Sequence, residues 1–328
     1  MKYQVYGIGN ALVDMEYQVA VDDLEKLRIP KGVMTLVDRA HQREIMAHLC
    51  DRPHKRGSGG SAANSIIALS QFGGRGFYSC KVANDALGHF YLDDLRASGV
   101  DTNRHCEREA GDTGRCLVLV TPDADRTMVT YLGISSALSE RDLVPEAIRA
   151  SDYYYMEGYL VTSAASLAAV VQGRDIAREA GARVALSLSD PNMVTYFKEG
   201  LLEMIGEGVD LLFANEAEAK GMANTQDLQE AIAYLKGIAR TFAITRGPQG
   251  ALVYDGEKLL EIDPVPVEAL DTVGAGDLFA GAFLYGLTQG WAHGRAGALA
   301  AASAAKLVSR FGPRLRAEEA QAVLRQLS

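Results

Sequence analysis

The stretch Asp271-Thr272-Val273-Gly274-Ala275-Gly276-Asp277 decides how this chain is read. Gly274 and Gly276 lack a Cβ, so the backbone can turn tightly there and aim consecutive N–H groups, Ala275 included, at an anion. The run that follows, Leu278-Phe279-Ala280-Gly281-Ala282-Phe283-Leu284-Tyr285-Gly286-Leu287, reads as a buried helix. Its small residues permit close packing, while Phe279, Phe283 and Leu287 share a face. The glycine turn therefore opens a helix N-terminus, where the dipole adds to the amides in attracting negative charge. Asp277 stands beside that cradle as a general base for an attacking alcohol, a combination suited to phosphoryl transfer onto a hydroxyl. Glycine turns also precede ordinary helices, and Asp is a good early-helix residue for capping alone, so the motif needs support from the rest of the chain.

That support begins near the N-terminus, in Gly9-Asn10-Ala11-Leu12-Val13-Asp14 and Gly59-Gly60-Ser61-Ala62-Ala63-Asn64. A carboxylate at Asp14 accepts two hydrogen bonds and an amide at Asn64 both donates and accepts, which suits a pair of adjacent hydroxyls. The plainer readings are a turn at Asp14 and a helix cap in the Gly-Ser-x-x-Asn run. Gly7-x-Gly9 follows an apolar strand as a dinucleotide fingerprint does, but the third glycine is missing and the next segment alternates like a strand instead of opening a helix. No Gly-x-x-x-x-Gly-Lys-Ser/Thr loop occurs anywhere. Any nucleotide must be held by another device.

Apolar strand-like runs at Tyr3–Ile8, Gly76–Val82, Tyr153–Glu157, Arg183–Leu188, Asp210–Ala214 and Thr241–Thr245 alternate with helical spacing at Ala62–Phe72, Leu87–Ser98, Ser166–Glu179, Thr225–Ala239 and Arg295–Arg310. Gly73-Gly74, Gly99 and Gly181 fall where left-handed C-caps end helices. This is the rhythm of an α/β fold, a doubly wound, mostly parallel sheet. Two segments break it: Leu12–Val37, alternating at Val13, Met15, Tyr17 and Val19, and Thr113–Leu132, with Pro122-Asp123-Ala124-Asp125 as a hairpin turn. They are expected to form a small discontinuous β-rich lid, about residues 11–38 and 112–133, inserted in one domain spanning 1–328.

The motifs and their order resemble the ribokinase/PfkB family of sugar and nucleoside kinases: Gly59-Gly60-Ser61-Ala62-Ala63-Asn64 matches its N-terminal signature, Asn215-Glu216-Ala217-Glu218 a middle one and Asp271–Asp277 its C-terminal one. The resemblance covers nearly the whole chain and implies a ribokinase-like fold with a β lid, ATP as co-substrate and Mg²⁺. By the same resemblance, Asn10, Asp14, Gly60 and Asn64 bind acceptor hydroxyls. Asn215 and Glu218 join the Mg²⁺–phosphate network, with Glu218 acting through water. Thr245, Gly247 and Gly250 of Thr245-Arg246-Gly247-Pro248-Gln249-Gly250 meet the nucleotide phosphates, and Arg126 of the lid hairpin swings over the transferring group. A monovalent cation such as K⁺ at Asp271 is a further implication.

The long stretch from Tyr17 to Arg39 and that from Gly114 to Leu132 look like the adenosine-kinase branch, and Leu12, Leu36 and Tyr159 can line an apolar slot for a purine. Ser189-Asp190-Pro191-Asn192 departs from that branch and is similar to sugar-kinase members, which makes Asn192 a candidate for a hydroxyl-rich acceptor. The expectation is thus a kinase acting on the primary hydroxyl of an adenosine-like nucleoside. A sugar such as ribose or fructose is the alternative acceptor, and a catalytically silent ligand sensor the alternative of another class.

Composition sets outer limits. The 328 residues can bury a large core, and 33 Lys and Arg against 42 Asp and Glu give a net charge of −9, unsuited to nonspecific binding of nucleic acid or anionic membranes. Cys50, Cys80, Cys106 and Cys116 show no C-x-x-C spacing, and the six His residues no H-E-x-x-H spacing. With no signal-peptide core and no apolar run near the roughly 20 residues needed to span a bilayer, a cytoplasmic monomer or homodimer with reduced thiols is expected.

Overall fold

Tyr153 and Tyr155 are buried in one apolar core while Tyr154 and Met156 are buried in another, so this strand alternates between two covered faces of one sheet. The computed structural model describes residues 2–327 apart from 51, 53, 104–107 and 124; Cys106, and Ala124 of the expected turn, lie outside the described residues. In chain order the strands are β1 Tyr3–Ile8, β2 Leu12–Gln18, β3 Met34–Leu36, β4 His54–Gly59, β5 Gly76–Ser79, β6 Asp101–Thr102 and β7 Gly114–Val120. They continue as β8 Arg126–Tyr131, β9 Ser151–Glu157, β10 Arg183–Ser187, β11 Val209–Asn215, β12 Ala239–Thr245, β13 Ala251–Tyr254 and β14 Leu259–Ile262.

The main sheet runs β14-β13-β12-β11-β10-β9-β1-β5-β6, parallel from β6 to β12 with an antiparallel edge at β13 and β14. One face packs on the helices Ser61–Gln71, Ala275–Thr288 and His293–Val308, the other on Ala164–Glu179, Glu216–Ala223 and Leu228–Ile238. This is the ribokinase-like doubly wound architecture. The chain steps outward from β1 through β5 to β6, then returns to the other side and builds outward from β9. The strand order therefore reverses between β1 and β9, where ligands of open α/β sheets bind at the carboxyl ends of the strands.

A second, five-stranded sheet has the order β3-β8-β7-β2-β4. It draws on both segments that break the α/β rhythm and on β4, which was not among them. Between its strands lie the helices Val21–Lys26 and Arg39–Leu49. Val13, Met15, Tyr17, Leu117, Leu119 and Val129 are buried in one core with Leu24, Ile45 and Leu49 of these helices. The alternate residues, Leu12, Asp14, Glu16, Cys116, Val118, Met128 and Thr130, border a cavity between the two sheets. A strand's period of two thus separates a structural face from a ligand face.

Two helices hold the chemistry in register. A Cβ on Gly281 would meet the Ser65 carbonyl oxygen at 2.3 Å, so only glycine lets Ala275–Thr288 approach Ser61–Gln71 this closely. Gly281 lies one turn beyond Asp277, and Ser65 directly follows Asn64. The small-residue pattern therefore sets the distance between acid and amide. The helix Leu228–Ile238 starts later than its spacing suggests, because Asp227 accepts from the N–H groups of Gln229 and Glu230 and caps it there.

Candidate active site

One cavity of about 820 Å³ is bordered by residues of both sheets. Asn10, Asp14, Gly60 and Asn64 line it together with Asn215, Glu218 and Thr245 and with Gly274, Gly276 and Asp277.

Asp277 follows the N-terminus of its helix. Its Oδ1 accepts from Ser61 Oγ at 2.6 Å and its Oδ2 from Asn64 Nδ2 at 3.0 Å. Burial pushes its pKa up to about 6, while the Ser61 and Asn64 hydrogen bonds and the Arg314 charge pull it down. The Asp14 carboxylate makes no hydrogen bond among the described residues and borders the cavity; burial pushes it up to about 7, with Arg314 opposing and Asp277 adding to the rise. Gly59 leaves room for it, since a Cβ there would meet the Asp14 carboxylate at 2.2 Å. Gly60 has φ +104 and a Cβ would strike the Asn10 carbonyl at 2.2 Å, so the chain closes onto the site only with glycine.

Gly274, at φ +78, turns the chain into the helix, and a Cβ there would meet the Pro313 carbonyl at 2.5 Å. The N–H of Ala275 is already donated to Thr272 O at 3.2 Å. Among the described residues no backbone carbonyl takes those of Gly276 and Asp277, so these two amides form the open part of the cradle.

Asn215 ends β11 and caps the next helix. Its N–H and Nδ2 donate to Glu218 Oε2 and Oε1 at 2.8 and 2.7 Å, and its Oδ1 accepts from the Glu218 N–H at 2.8 Å. Glu218 is buried and pushed up to about 7 by desolvation, against the backbone hydrogen bond. Glu216, by contrast, pairs with Lys220 and Arg246 away from the cavity. Among the described residues no three His, Cys, Asp or Glu side chains gather into a metal cage. Glu218, a cavity-lining carboxylate with lone pairs to spare and Asp190 acting on it, instead fits a hydrated Mg²⁺, which keeps several of its waters.

Besides Ala275, three residues expected at the site do not border the cavity. Asn192 is exposed and does not border the cavity: Asp190 caps a helix over Pro191–Tyr196, which turns Met193 inward and Asn192 outward. Gly247 is exposed and Gly250 is likewise absent from the lining. The φ of +78 at Gly250, and a Cβ contact of 2.1 Å with Ile262 O, mark it as a turn residue between β12 and β13. Arg126 does line the cavity, but it is held rather than free to swing: Nη1 donates to Asp271 Oδ2 at 2.6 Å and Nη2 to Glu16. Its buried Nε has no hydrogen-bond partner among the described residues.

Other cavity residues escaped the sequence reading. Glu157, at the end of β9, is buried at the switch point and accepts from the N–H groups of Asn10 and Ala62 at 3.2 and 2.9 Å and from Asn10 Nδ2 at 3.1 Å. Burial pushes it up to about 7, those bonds opposing. An acid closing an apolar strand was a readable signal, as was Ser61 inside the glycine motif. Arg314 carried none: a lone Arg far along the chain, it donates through Nε to Asn64 Oδ1 at 2.9 Å.

A half-buried acid beside two open amides, in one cavity with hydroxyl-binding groups and a switch-point strand edge, defines a phosphotransferase with an alcohol acceptor. The chain belongs to the pfkB family carbohydrate kinases, matching that family over residues 34–320. Among solved structures it is similar to the adenosine kinase from Sinorhizobium meliloti, with 32% identity, full coverage of both chains and a TM-score of 0.90. It is similar to a probable sugar kinase protein from Rhizobium etli CFN 42 at 31% identity, again over both whole chains, with a TM-score of 0.89. The adenosine kinase of Saccharomyces cerevisiae is 27% identical over 304 residues, 86% of this chain and 88% of the yeast protein. Enzymes of this family transfer phosphoryl groups to hydroxyls of nucleosides or sugars and use ATP with Mg²⁺.

Proposed function

We propose that this kinase transfers the terminal phosphoryl group of ATP to the primary hydroxyl of an adenosine-like nucleoside, with Asp277 as general base. The reading rests on one observation, that Asp277 borders the same cavity as Asp14 and Asn64 and as Asn215 and Thr245. The acceptor hydroxyl loses its proton to Asp277 as its oxygen bonds to the γ-phosphorus, and the bond to the ADP oxygen breaks. A base with a pKa of about 6 is mostly ionised at neutral pH yet still basic enough to take that proton. The Gly276 and Asp277 amides are aimed at the phosphoryl oxygens.

Glu218 would hold Mg²⁺ through water, and the ion would offset charge on the phosphates. Asn215 and Thr245 bind the nucleotide, and the second sheet serves as the lid. The cation reading is weakened, because Asp271 already accepts from Arg126, Val273 N–H and Gly312 N–H.

A nucleoside is favoured over a free sugar by the inner face of the second sheet. There Cys116, Val118 and Val120 form an apolar cluster with Leu12 and Met128 packed on it, and Leu36 borders the same cavity. A flat base covers such a face, whereas a free sugar would leave its hydroxyls unpaired against it. Asp190 and Ser189 in the lining favour the sugar as a second reading.

Purified protein with Mg·ATP and a panel of adenosine, other nucleosides, ribose and fructose tests this. Adenosine should give the highest kcat/KM and a 5′-phosphate product. Preference for a free sugar overturns the acceptor, and nucleotide binding without turnover of any acceptor points to a ligand sensor.

A further inference from the structure

Arg314 sits in the loop after the helix His293–Val308 and touches three other elements. Its Nε donates to Asn64 Oδ1 on the helix Ser61–Gln71 at 2.9 Å. Its Nη2 donates to Ser58 Oγ on β4 at 3.2 Å, and its Nη1 pairs with Asp94 of the helix Ala86–Ala97 at 3.5 Å. Asp94 in turn accepts from the Ser58 N–H and Oγ. The guanidinium borders the cavity and is largely enclosed, its side chain 18% exposed.

The contact with Asn64 bears on the base. A side-chain amide can present either end, and only its partners decide which. Here Arg314, which can only donate, claims Oδ1, so Nδ2 must face Asp277 Oδ2, 3.0 Å away. An N–H pointed at the acid favours its ionised form. Were the amide turned over, its carbonyl would face the carboxylate and favour a protonated acid, which is no base.

We propose that Arg314 is a positioning residue: it locks the Asn64 amide with its N–H toward Asp277, and so keeps the base ionised and aimed at the acceptor hydroxyl. The proposal rests on the assignment of Asp277 as base. Ionisable groups around that carboxylate are Asp14 on β2, Tyr155 and Glu157 on β9, Tyr159 just beyond β9, and Arg314 itself. Those around Arg314 are Asp94, Asp14, Asp277 and Tyr91. Arg126 also acts on Asp14.

The test compares wild type, Arg314→Ala, Arg314→Lys and Asp94→Asn, each checked for folding by circular dichroism. The first readout is a ¹³C NMR titration of carboxyl-labelled aspartate, with the Asp277 resonance identified by its loss in Asp277→Asn; it needs no acceptor. Arg314→Ala should raise the Asp277 midpoint by about half a pH unit or more. Arg314→Lys, which returns the charge but lacks the Nε donor, should leave a clear part of that shift in place; full restoration would make the effect one of charge alone and overturn the lock. With Mg·ATP and whichever panel acceptor wild type uses, Arg314→Ala should lower kcat about 10- to 100-fold while the KM for ATP stays near wild type. Asp94→Asn, which loosens the tie to β4 but leaves the Asn64 contact, should leave the midpoint in place.

An unmoved midpoint in folded Arg314→Ala, or an equal shift in Asp94→Asn, overturns the proposal. A raised KM for ATP at unchanged kcat also overturns it and makes Arg314 a nucleotide contact. Should Arg314→Ala not fold, Arg314→Lys decides alone: it keeps the charge but lacks the Nε donor, so it must still lower kcat. If the midpoint moves as expected and no acceptor is turned over by wild type, the amide lock stands and the kinase reading fails.

Discussion

Arg126 on β8 of the second sheet donates through Nη1 to Asp271 Oδ2 at 2.6 Å, and Asp271 begins the segment that leads to Asp277. The Asp271 side chain is 1% exposed and that of Arg126 9%. This buried pair fastens the apolar inner face of the second sheet to the glycine cradle, with Glu16 of β2 as a third member. Removing Arg126 leaves Asp271 charged and buried without its guanidinium.

Arg126→Gln should therefore lower stability by roughly 3 kcal/mol and loosen the second sheet over the site. With water less well excluded, ATP hydrolysis in the absence of acceptor should rise above its slow wild-type rate. Thermal unfolding and a coupled ADP assay check both, and an unchanged Tm with unchanged hydrolysis would refute the latch.

The same pair bears on cations. Because Asp271 accepts from a guanidinium and from two backbone N–H groups, replacing K⁺ by tetramethylammonium at constant ionic strength should change kcat by less than about two-fold. A strong K⁺ activation would mean that Arg126 leaves Asp271 during turnover.

Asp277→Asn should cut kcat by about two to four powers of ten with the Kd for Mg·ATP nearly unchanged, read by steady-state kinetics and calorimetry. Asn retains the size of Asp but cannot take the proton. Near-normal turnover would remove Asp277 from the base role.

The pH dependence follows from the same group. Asp277 must be ionised to act, so kcat/KM should fall as pH drops through about 6. Asp14, Glu157 and Glu218, each near 7, titrate alongside it, and the limb reports the cluster. A pH–rate profile in Asp277→Glu should move this limb, and a limb that stays fixed would assign it to another group.

Stability should respond with the opposite sign. The folded-state pKa of Asp277, about 6, exceeds its ordinary value of 3.8. The folded protein therefore holds this proton more tightly than the unfolded chain does. Its contribution falls as pH rises from about 4 to about 6, and the destabilisation is complete above that window. Asp277→Asn should accordingly raise Tm by about 2–5 °C at pH 7.5 and by less at pH 5. An equal gain at both values would show that ionisation is not the cause.

Much of the architecture was legible because it is periodic. The alternation of Val13, Met15 and Tyr17 announced a strand with one buried face, and the small residues of the helix after Asp277 announced close packing. β4 was not read as part of the second sheet, since His54-Lys55-Arg56 is polar and exposed and offers no apolar period. Asn192 misled for a local reason: Asp190 takes its N–H at 2.7 Å and starts a helix that points its side chain outward. Gly250 serves a turn, and a glycine needed for a turn looks the same in sequence as one needed for a phosphate.

The sequence by itself determined the alternation of strands and helices in a doubly wound fold and the glycine turns, and it marked Asp277 as the candidate acid, because these depend on neighbours along the chain. Only the tertiary structure decided which groups surround that acid. Ser61, Asn64, Glu157 and Arg314 reach the site from helix, strand and loop far apart in sequence, so burial and hydrogen bonding tune Asp277 through contacts that no local pattern encodes.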